Sequence, residues 1–334
     1  MSTQQIPPEF ASQSTATPLS ASSPPLRVIF WGMNGGFSRN VLRALLTAPH
    51  VHVQAALLPA STLAVDTGGA PYLAVPAQPT APASDPLELT LRAPAVNPGA
   101  LQLAWEYDCP VYAVGGLAAP ATLELVRGWA VDVACVACFP RRLPAALLNL
   151  PRHGFLNVHP SLLPQYRGPA PIFWQLRDGL TTAGVTIHWM DSDFDTGDIA
   201  AQQTVPLPAG ATGPEIDRIC SQAGGALLID LLGDVAAGRA VRHPQAAHGD
   251  YQSWPTAGDF RLDPTWTAQR ALNFMRGTAE WGYPYSIAIG PMTLLLATAL
   301  YVIPQGELDQ PYQLDGDQVQ IQFQSGILVA TIRL

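Results

Sequence analysis

Between residues 26 and 205 short apolar runs alternate with segments of helical period, and this alternation restricts the chain to a narrow set of folds. Leu26-Arg27-Val28-Ile29-Phe30-Trp31-Gly32 is an apolar run closed by glycine, residues 37–46 carry apolar side chains at helical spacing, and 51–58 form a second run. Residues 110–114, 131–137, 154–158, 184–190 and 199–205 continue the series as strands, with helices predicted at 119–127, from 144 to 148, and at 170–177. Strands that are apolar on both faces and joined through helices lie side by side with the helices packed above and below them. The expected fold class is therefore α/β, a doubly wound and mostly parallel sheet with right-handed crossovers.

After the last of these strands, residues 214–237 read as one long helix with an acidic start and Gly238 beyond its end. Residues 239–258 are rich in proline, histidine and polar residues and read as a linker. Beyond it come a helix at 265–276 and four alternating runs at 285–289, 293–302, 318–323 and 327–332, which predict a small β-rich, OB-like C-terminal domain. The expected division is a disordered tail at 1–26, a main α/β domain at 27–238, the linker at 239–258 and an accessory domain at 259–334. Residues 59–100 are rich in Ala, Pro, Thr and Ser with weak periodicity and predict a long surface loop or lid. The turn Gly32-Met33-Asn34-Gly35-Gly36 resembles a nucleotide-binding loop but lacks the full glycine spacing and the acidic residue at the next strand end, so it is read as a tight turn between strand and helix.

Charge narrows the partners. The net charge is −8, and all 17 basic residues are arginines, since the chain has no lysine. A Schiff-base mechanism on lysine is excluded, and a polyanion would need a local cluster of arginines to be held. Cys109, Cys135, Cys138 and Cys220 are too few for a disulfide framework, and Cys135-Val136-Ala137-Cys138, although a CxxC, lies in an apolar run and reads as core packing. Residues 1–26 have neither a basic nor an apolar region of a signal peptide, and no run of about 18 uninterrupted apolar residues occurs, so the expectation is a cytoplasmic protein with no membrane span.

The chemistry is concentrated at Asn157-Val158-His159. Asn157 and His159 are two apart at the exit of a strand, so they share one face. Histidine accepts and donates protons near neutrality, asparagine can donate a hydrogen bond to a developing oxyanion, and a nearby carboxylate would orient the imidazole. Asp191-Ser192-Asp193-Phe194-Asp195 follows the strand at 184–190 and supplies carboxylates. It also looks like the start of a calcium loop, but Thr196 and Gln202 stand where an EF-hand needs glycine and glutamate, and no metal is expected. His188 alternates with apolar neighbours and reads as structural.

Asn157-Val158-His159-Pro160-Ser161-Leu162-Leu163-Pro164, followed by Arg167-Gly168, and Asp195-Thr196-Gly197-Asp198 downstream, resemble the two signatures of the folate-dependent formyltransferases, and a C-terminal segment around residues 260–277 resembles the accessory domain of the methionyl-tRNA formyltransferases. The resemblance implies transfer of a formyl group from 10-formyltetrahydrofolate to an amine, without a metal. It places Asn157, His159 and Asp195 on the family's catalytic asparagine, histidine and aspartate. It places the donor pocket at Phe139, Pro140, Arg141, Arg142, Leu143, Asp191 and Asp193, with Phe139 and Leu143 as apolar walls and Arg141 or Arg142 toward the folate's glutamate. Asp193 departs from the family, where many members have glycine, and an added carboxylate there bears on pterin binding or on Asp195. Ser161, Leu162, Leu163, Pro164, Arg167 and Gly168 would form the loop beside the substrate.

The resemblance offers initiator methionyl-tRNA as the amine. Charge speaks against it, because residues 59–100 hold three acids and one arginine (net −2), and 250–334 hold eight acids and four arginines (net −4). A small amine such as an amino sugar is the alternative. Hydrolysis of the formyl donor and a catalytically inactive binding module are further readings.

Overall fold

The computed structural model describes residues 24–76, 99–246 and 249–333. Most of the tail expected at 1–26 and the centre of the loop expected at 59–100 therefore lie outside the described residues. Contacts divide the chain into two units, the first formed by residues 1–159, 186–203 and 221–245 and the second by 160–185, 204–220 and 246–334. The boundaries expected at 238 and 258 are sequential, whereas this division interleaves, because segments 160–185 and 204–220 fold with the C-terminal residues.

The main sheet is built from β1 (Leu26–Gly32), β2 (Val51–Pro59), β3 (Tyr72–Val75), β4 (Val111–Val114), β5 (Val133–Ala137), β6 (Phe155–His159), β7 (Thr182–Trp189) and β8 (Ile199–Pro206). Its strand order is β3-β4-β2-β1-β5-β6-β7-β8. The pairs β1 with β2, β1 with β5, β2 with β4 and β5 with β6 are parallel, which gives the doubly wound arrangement. Three pairs reverse. β3 runs antiparallel to β4, β7 antiparallel to β6, and β8 antiparallel to β7, with the Trp189 amide donating to the Asp198 carbonyl and the Leu207 amide to the Thr181 carbonyl.

The helices between them are α1 (Gly36–Thr47), α2 (Ala100–Glu106), α3 (Pro120–Gly128), α4 (Ala145–Leu148), α5 (Pro171–Arg177) and α6 (Gly213–Ala236). On α1 the residues Phe37, Val41, Leu42 and Leu45 are buried, a stripe of helical period. Burying each such side chain contributes about 1.5–3 kcal/mol. The first unit's core joins Ile29 and Trp31 of β1 to Leu57 of β2, Val114 of β4, Val136 of β5 and Phe155 of β6. Within 59–100, β3 is an edge strand where only loop was expected, and α2 follows the undescribed segment.

α6 is long and apolar enough by length and composition to cross a membrane, with a mean hydropathy of 1.3 over an 18-residue stretch. From Ser221 on it packs within the first unit: Asn40 Nδ2 on α1 donates to Ser221 Oγ at 2.9 Å, and His50 Nε2 lies 3.2 Å from the Ile229 carbonyl. A Cβ at Gly225 would come within 2.9 Å of Ala44 Cβ, so the glycine permits that close approach.

The second sheet contains β9 (Arg261–Leu262), β10 (Tyr285–Ile289), β11 (Met292–Ile303), β12 (Tyr312–Asp315), β13 (Gln318–Gln322) and β14 (Ile327–Ile332), in the order β12-β13-β14-β11-β10-β9. The helix α7 (Ala268–Gly277) buries Ala271, Leu272, Phe274 and Met275, and Thr267 caps its start by accepting from the Arg270 amide. Phe260, Phe274 and Tyr285 form an aromatic centre, with ring centroids 5.6 to 6.2 Å apart. The β-rich C-terminal part is present as expected.

Candidate active site

β6 ends at His159 because Pro160 follows it, and the alternation along the strand turns Asn157 and His159 to one face. β7 lies antiparallel alongside, with His188 directly opposite Asn157 and Thr186 opposite His159. After β7 the chain is held to the start of β6 by the Met190 amide, which donates to the Phe155 carbonyl at 2.8 Å. Residues 191–198 then fold back, and the Trp189 amide donates to the Asp198 carbonyl at 2.8 Å.

That loop delivers Asp195. Its Oδ1 lies 3.5 Å from His159 Nδ1, 3.5 Å from His188 Nε2 and 3.4 Å from Asn157 Nδ2. His159 is 4% and His188 1% exposed, so the carboxylate meets both imidazole rings largely away from water. With Nδ1 turned to the carboxylate, the His159 ring presents Nε2 on its other side. The backbone of Asp195 is left-handed, with φ of 56°, a conformation uncommon for a residue with a Cβ. Gln245 Nε2 donates to the carbonyls of both Asp195 and Gly197, and Thr196 Oγ1 donates to the Asp191 carboxylate, so both sides of the turn are tied. Gly197 is required sterically, since a Cβ there would lie 1.7 Å from the Trp189 carbonyl oxygen.

The three residues Asn157, His159 and Asp195 are thus brought together as the motifs suggested. Two further residues belong to the cluster and were not anticipated. In the sequence His188 reads as structural because its strand alternates like a core strand; its contacts follow from the antiparallel register, which is a long-range property. Gln245 falls in the segment expected to be a linker, yet His243 in that segment forms a bridge with Ile199 and Gln245 grips the Asp195 turn.

The expected donor residues divide. Phe139 is half-buried and meets Trp31 edge to face at 5.3 Å, whereas Leu143 is 3% exposed and belongs to the core beneath. Pro140, Arg141 and Arg142 are exposed. Arg141 Nη1 donates to the Gly115 carbonyl at 2.6 Å, and Arg142 donates to the Ser192 carbonyl and pairs with Asp193 at 3.5 Å. Asp193 therefore faces an arginine, and Asp191 accepts from Thr196 and from the Asp193 amide.

The proposed substrate-loop residues lie in the second unit, and each has a local structural contact. Ser161 Oγ donates to the Gln165 carbonyl at 2.8 Å, and Leu162 and Leu163 are buried. A Cβ on Gly249 would lie 2.7 Å from Pro164 Cβ, Arg167 donates to the Gly249 carbonyl, and the Arg167 carbonyl accepts from the Gln252 amide at 2.8 Å. Gly168 has φ of 119°, and a Cβ there would lie 2.1 Å from the Gln252 carbonyl oxygen.

Among known proteins, a family model described as formyl transferase matches residues 84–232. The chain is 31% identical over 220 residues to a methionyl-tRNA formyltransferase of Geobacter sulfurreducens, covering 66% of this chain and 68% of that one. The chain belongs to the formyl transferase family. A methionyl-tRNA formyltransferase of Listeria monocytogenes is 35% identical over 220 residues, covering 64% of this chain and 67% of its own. Among solved structures, an N-formyltransferase of Helicobacter canadensis in complex with folinic acid and dTDP-3-aminofucose superposes with a TM-score of 0.63 at 14% identity, covering 92% of this chain and all of that one. HypX from Aquifex aeolicus, solved with tetrahydrofolic acid, gives 0.54 at 16% identity over 91% of this chain and 43% of its own. At these identities the likeness is one of fold. Membership in the formyl transferase family makes this chain a formyl-transferring enzyme.

Proposed function

We propose that this formyl transferase carries a formyl group from 10-formyltetrahydrofolate to a primary amine, and that the amine is that of initiator methionyl-tRNA. The observation that carries the chemistry is the meeting of Asn157, His159 and Asp195 within 3.5 Å of one carboxylate oxygen. The amine attacks the formyl carbon, and the carbonyl π electrons move to oxygen. The Asn157 amide and protonated His159 stabilise that oxyanion by donating to it. Collapse breaks the bond from carbon to the folate nitrogen, which takes a proton as the attacking nitrogen loses one, and Asp195 supports that transfer through water. The products are a formamide and tetrahydrofolate, so no oxidant or reductant is consumed.

The acceptor rests on the named sequence relatives, which are far more similar than the sugar-modifying structural neighbours. A small amine such as an amino sugar is the second reading, favoured by charge: residues 250–334 carry eight acids against four arginines, where a tRNA-contacting region is expected to be positive. Purified protein is incubated with 10-formyltetrahydrofolate and, separately, methionyl initiator tRNA, a panel of nucleotide-linked amino sugars, and water. Formyl-methionyl-tRNA supports the first reading, a formylated sugar replaces it with the second, and release of formate in water alone replaces both with hydrolysis. Wild-type protein that transfers to no acceptor overturns the proposal.

A further inference from the structure

We propose that His188 is a positioning residue that sets the direction of the Asn157 amide by acting as the neutral tautomer protonated on Nδ1. The inference rests on the reading of Asn157 as an oxyanion donor. An asparagine amide has two orientations of nearly equal shape, and only one turns N–H groups toward a developing oxyanion. The other presents Oδ1, which would repel it. Something in the site must choose between them, and the structure contains a chain of polarity that does so.

The chain begins at a main-chain carbonyl. His188 Nδ1 lies 3.1 Å from the carbonyl oxygen of Trp189, an atom that can only accept, so Nδ1 carries the proton. In a neutral ring Nε2 is then a lone pair. That lone pair lies 3.0 Å from the terminal Nδ2 of Asn157, which must be the donor of this contact, and Oδ1 consequently faces away from His188. Of the two hydrogens on Nδ2, one is committed to His188. The second points to Asp195 Oδ1 at 3.4 Å, a long contact that an incoming substrate oxygen can replace at little cost.

Position and burial support a fixed ring. His188 sits directly opposite Asn157 in the antiparallel pair, and is 1% exposed. The groups facing it are Asn157, Asp195 and His159, whose ring centroid is 6.5 Å away. The Asp195 oxygen stands 3.5 Å from His188 Nε2, beyond ordinary hydrogen-bond length, whereas Asn157 Nδ2 approaches that lone pair to 3.0 Å and is its partner. The two histidines therefore have different tasks. His159 would handle substrate charge, while His188 acts only through Asn157.

The test compares His188→Leu, which removes the lone pair, with His188→Gln, whose side-chain oxygen can accept from Asn157. In the formyl-transfer assay His188→Leu should lower kcat by about 100-fold, the scale of losing one oxyanion donor, with KM for the folate donor within about twofold and restoration by His188→Gln to within about tenfold of wild type. A His188→Leu enzyme as fast as wild type overturns the proposal. Nitrogen-15 NMR of the wild-type imidazoles reads the tautomer without any assay: a protonated Nδ1 and bare Nε2 at His188 support the proposal, and a protonated Nε2 overturns it. Because the NMR readout needs no acceptor, it stands if the variants fail to fold. An inactive wild type overturns the formyl-transfer reading, a result distinct from a wrong tautomer in an active enzyme.

Discussion

The amide nitrogen of Gln245 donates to the main-chain carbonyl of Asp195 at 2.9 Å and, with its second hydrogen, to that of Gly197 at 2.7 Å. One side chain thus closes the turn that holds Asp195 in a left-handed conformation, which costs a residue with a Cβ on the order of 1 kcal/mol. Gln245→Leu should lower stability by about 1–3 kcal/mol, the net value of two hydrogen bonds. Hydrogen exchange in a peptide spanning residues 190–198 should quicken, and unchanged exchange there would remove the role assigned to Gln245.

At Gly197 the limit is space. A methyl group would meet the Trp189 carbonyl oxygen at 1.7 Å, so either β7 or the turn must move. Gly197→Ala is expected to destabilise the protein by at least the 1–3 kcal/mol typical of overpacking, as read by chemical denaturation. A variant of wild-type stability would show that the turn is not confined as described.

Thiol chemistry distinguishes the two cysteines of the CxxC. Cys138 is exposed at φ of 56°, whereas Cys109, Cys135 and Cys220 are buried. Burial pushes the Cys109 and Cys220 thiols up to about 12 and raises Cys135 as well. A thiol-specific reagent at pH 8 should label one cysteine in the native protein, identified as Cys138 by mass spectrometry, and all four after denaturation. Native labelling of Cys135 would contradict the packing of β5.

Asp217 gives a pH signature in the second unit. Asp217 lies on an exposed face of α6, and partial desolvation by the surrounding chain, reinforced by the nearby charge of Glu280, pushes its carboxyl up to about 6. The folded chain therefore holds this proton more tightly than the unfolded chain, and the stability it contributes is present at pH 4 and lost as the pH rises through 6. Asp217→Asn stays neutral, so its stability relative to wild type should climb across that window and level off above pH 7, by less than about 1 kcal/mol because the side chain is exposed to screening solvent. A constant difference from pH 4 to pH 8 in parallel urea titrations would refute the assignment.

The sequence carried the main sheet well because each buried parallel strand announces itself as an apolar run, as at Val133–Ala137 and Phe155–His159. It missed Tyr72–Val75, whose four residues are half-exposed at a sheet edge and lie in a proline-rich stretch. It also could not give the direction of Thr182–Trp189, since an apolar strand reads the same parallel or antiparallel. Asn157, His159 and Asp195 were legible through motif spacing. His188 and Gln245 were not, because one needs the cross-strand register and the other a contact spanning 50 residues.

The reversal of β7 has a consequence for how this loop can vary. Its exit is fixed beside Phe155, at the opposite end of β6 from His159, so residues 191–194 must carry the chain back along the sheet before Asp195 is reached. One residue more or fewer moves an extended chain by about 3.5 Å, which equals the whole 3.5 Å separation of the carboxylate from His159. The segment behaves as a ruler with one usable setting. Asp193 sits at its exposed crest, where a change of side chain leaves the span unaltered, whereas an insertion or deletion would put the carboxylate out of reach.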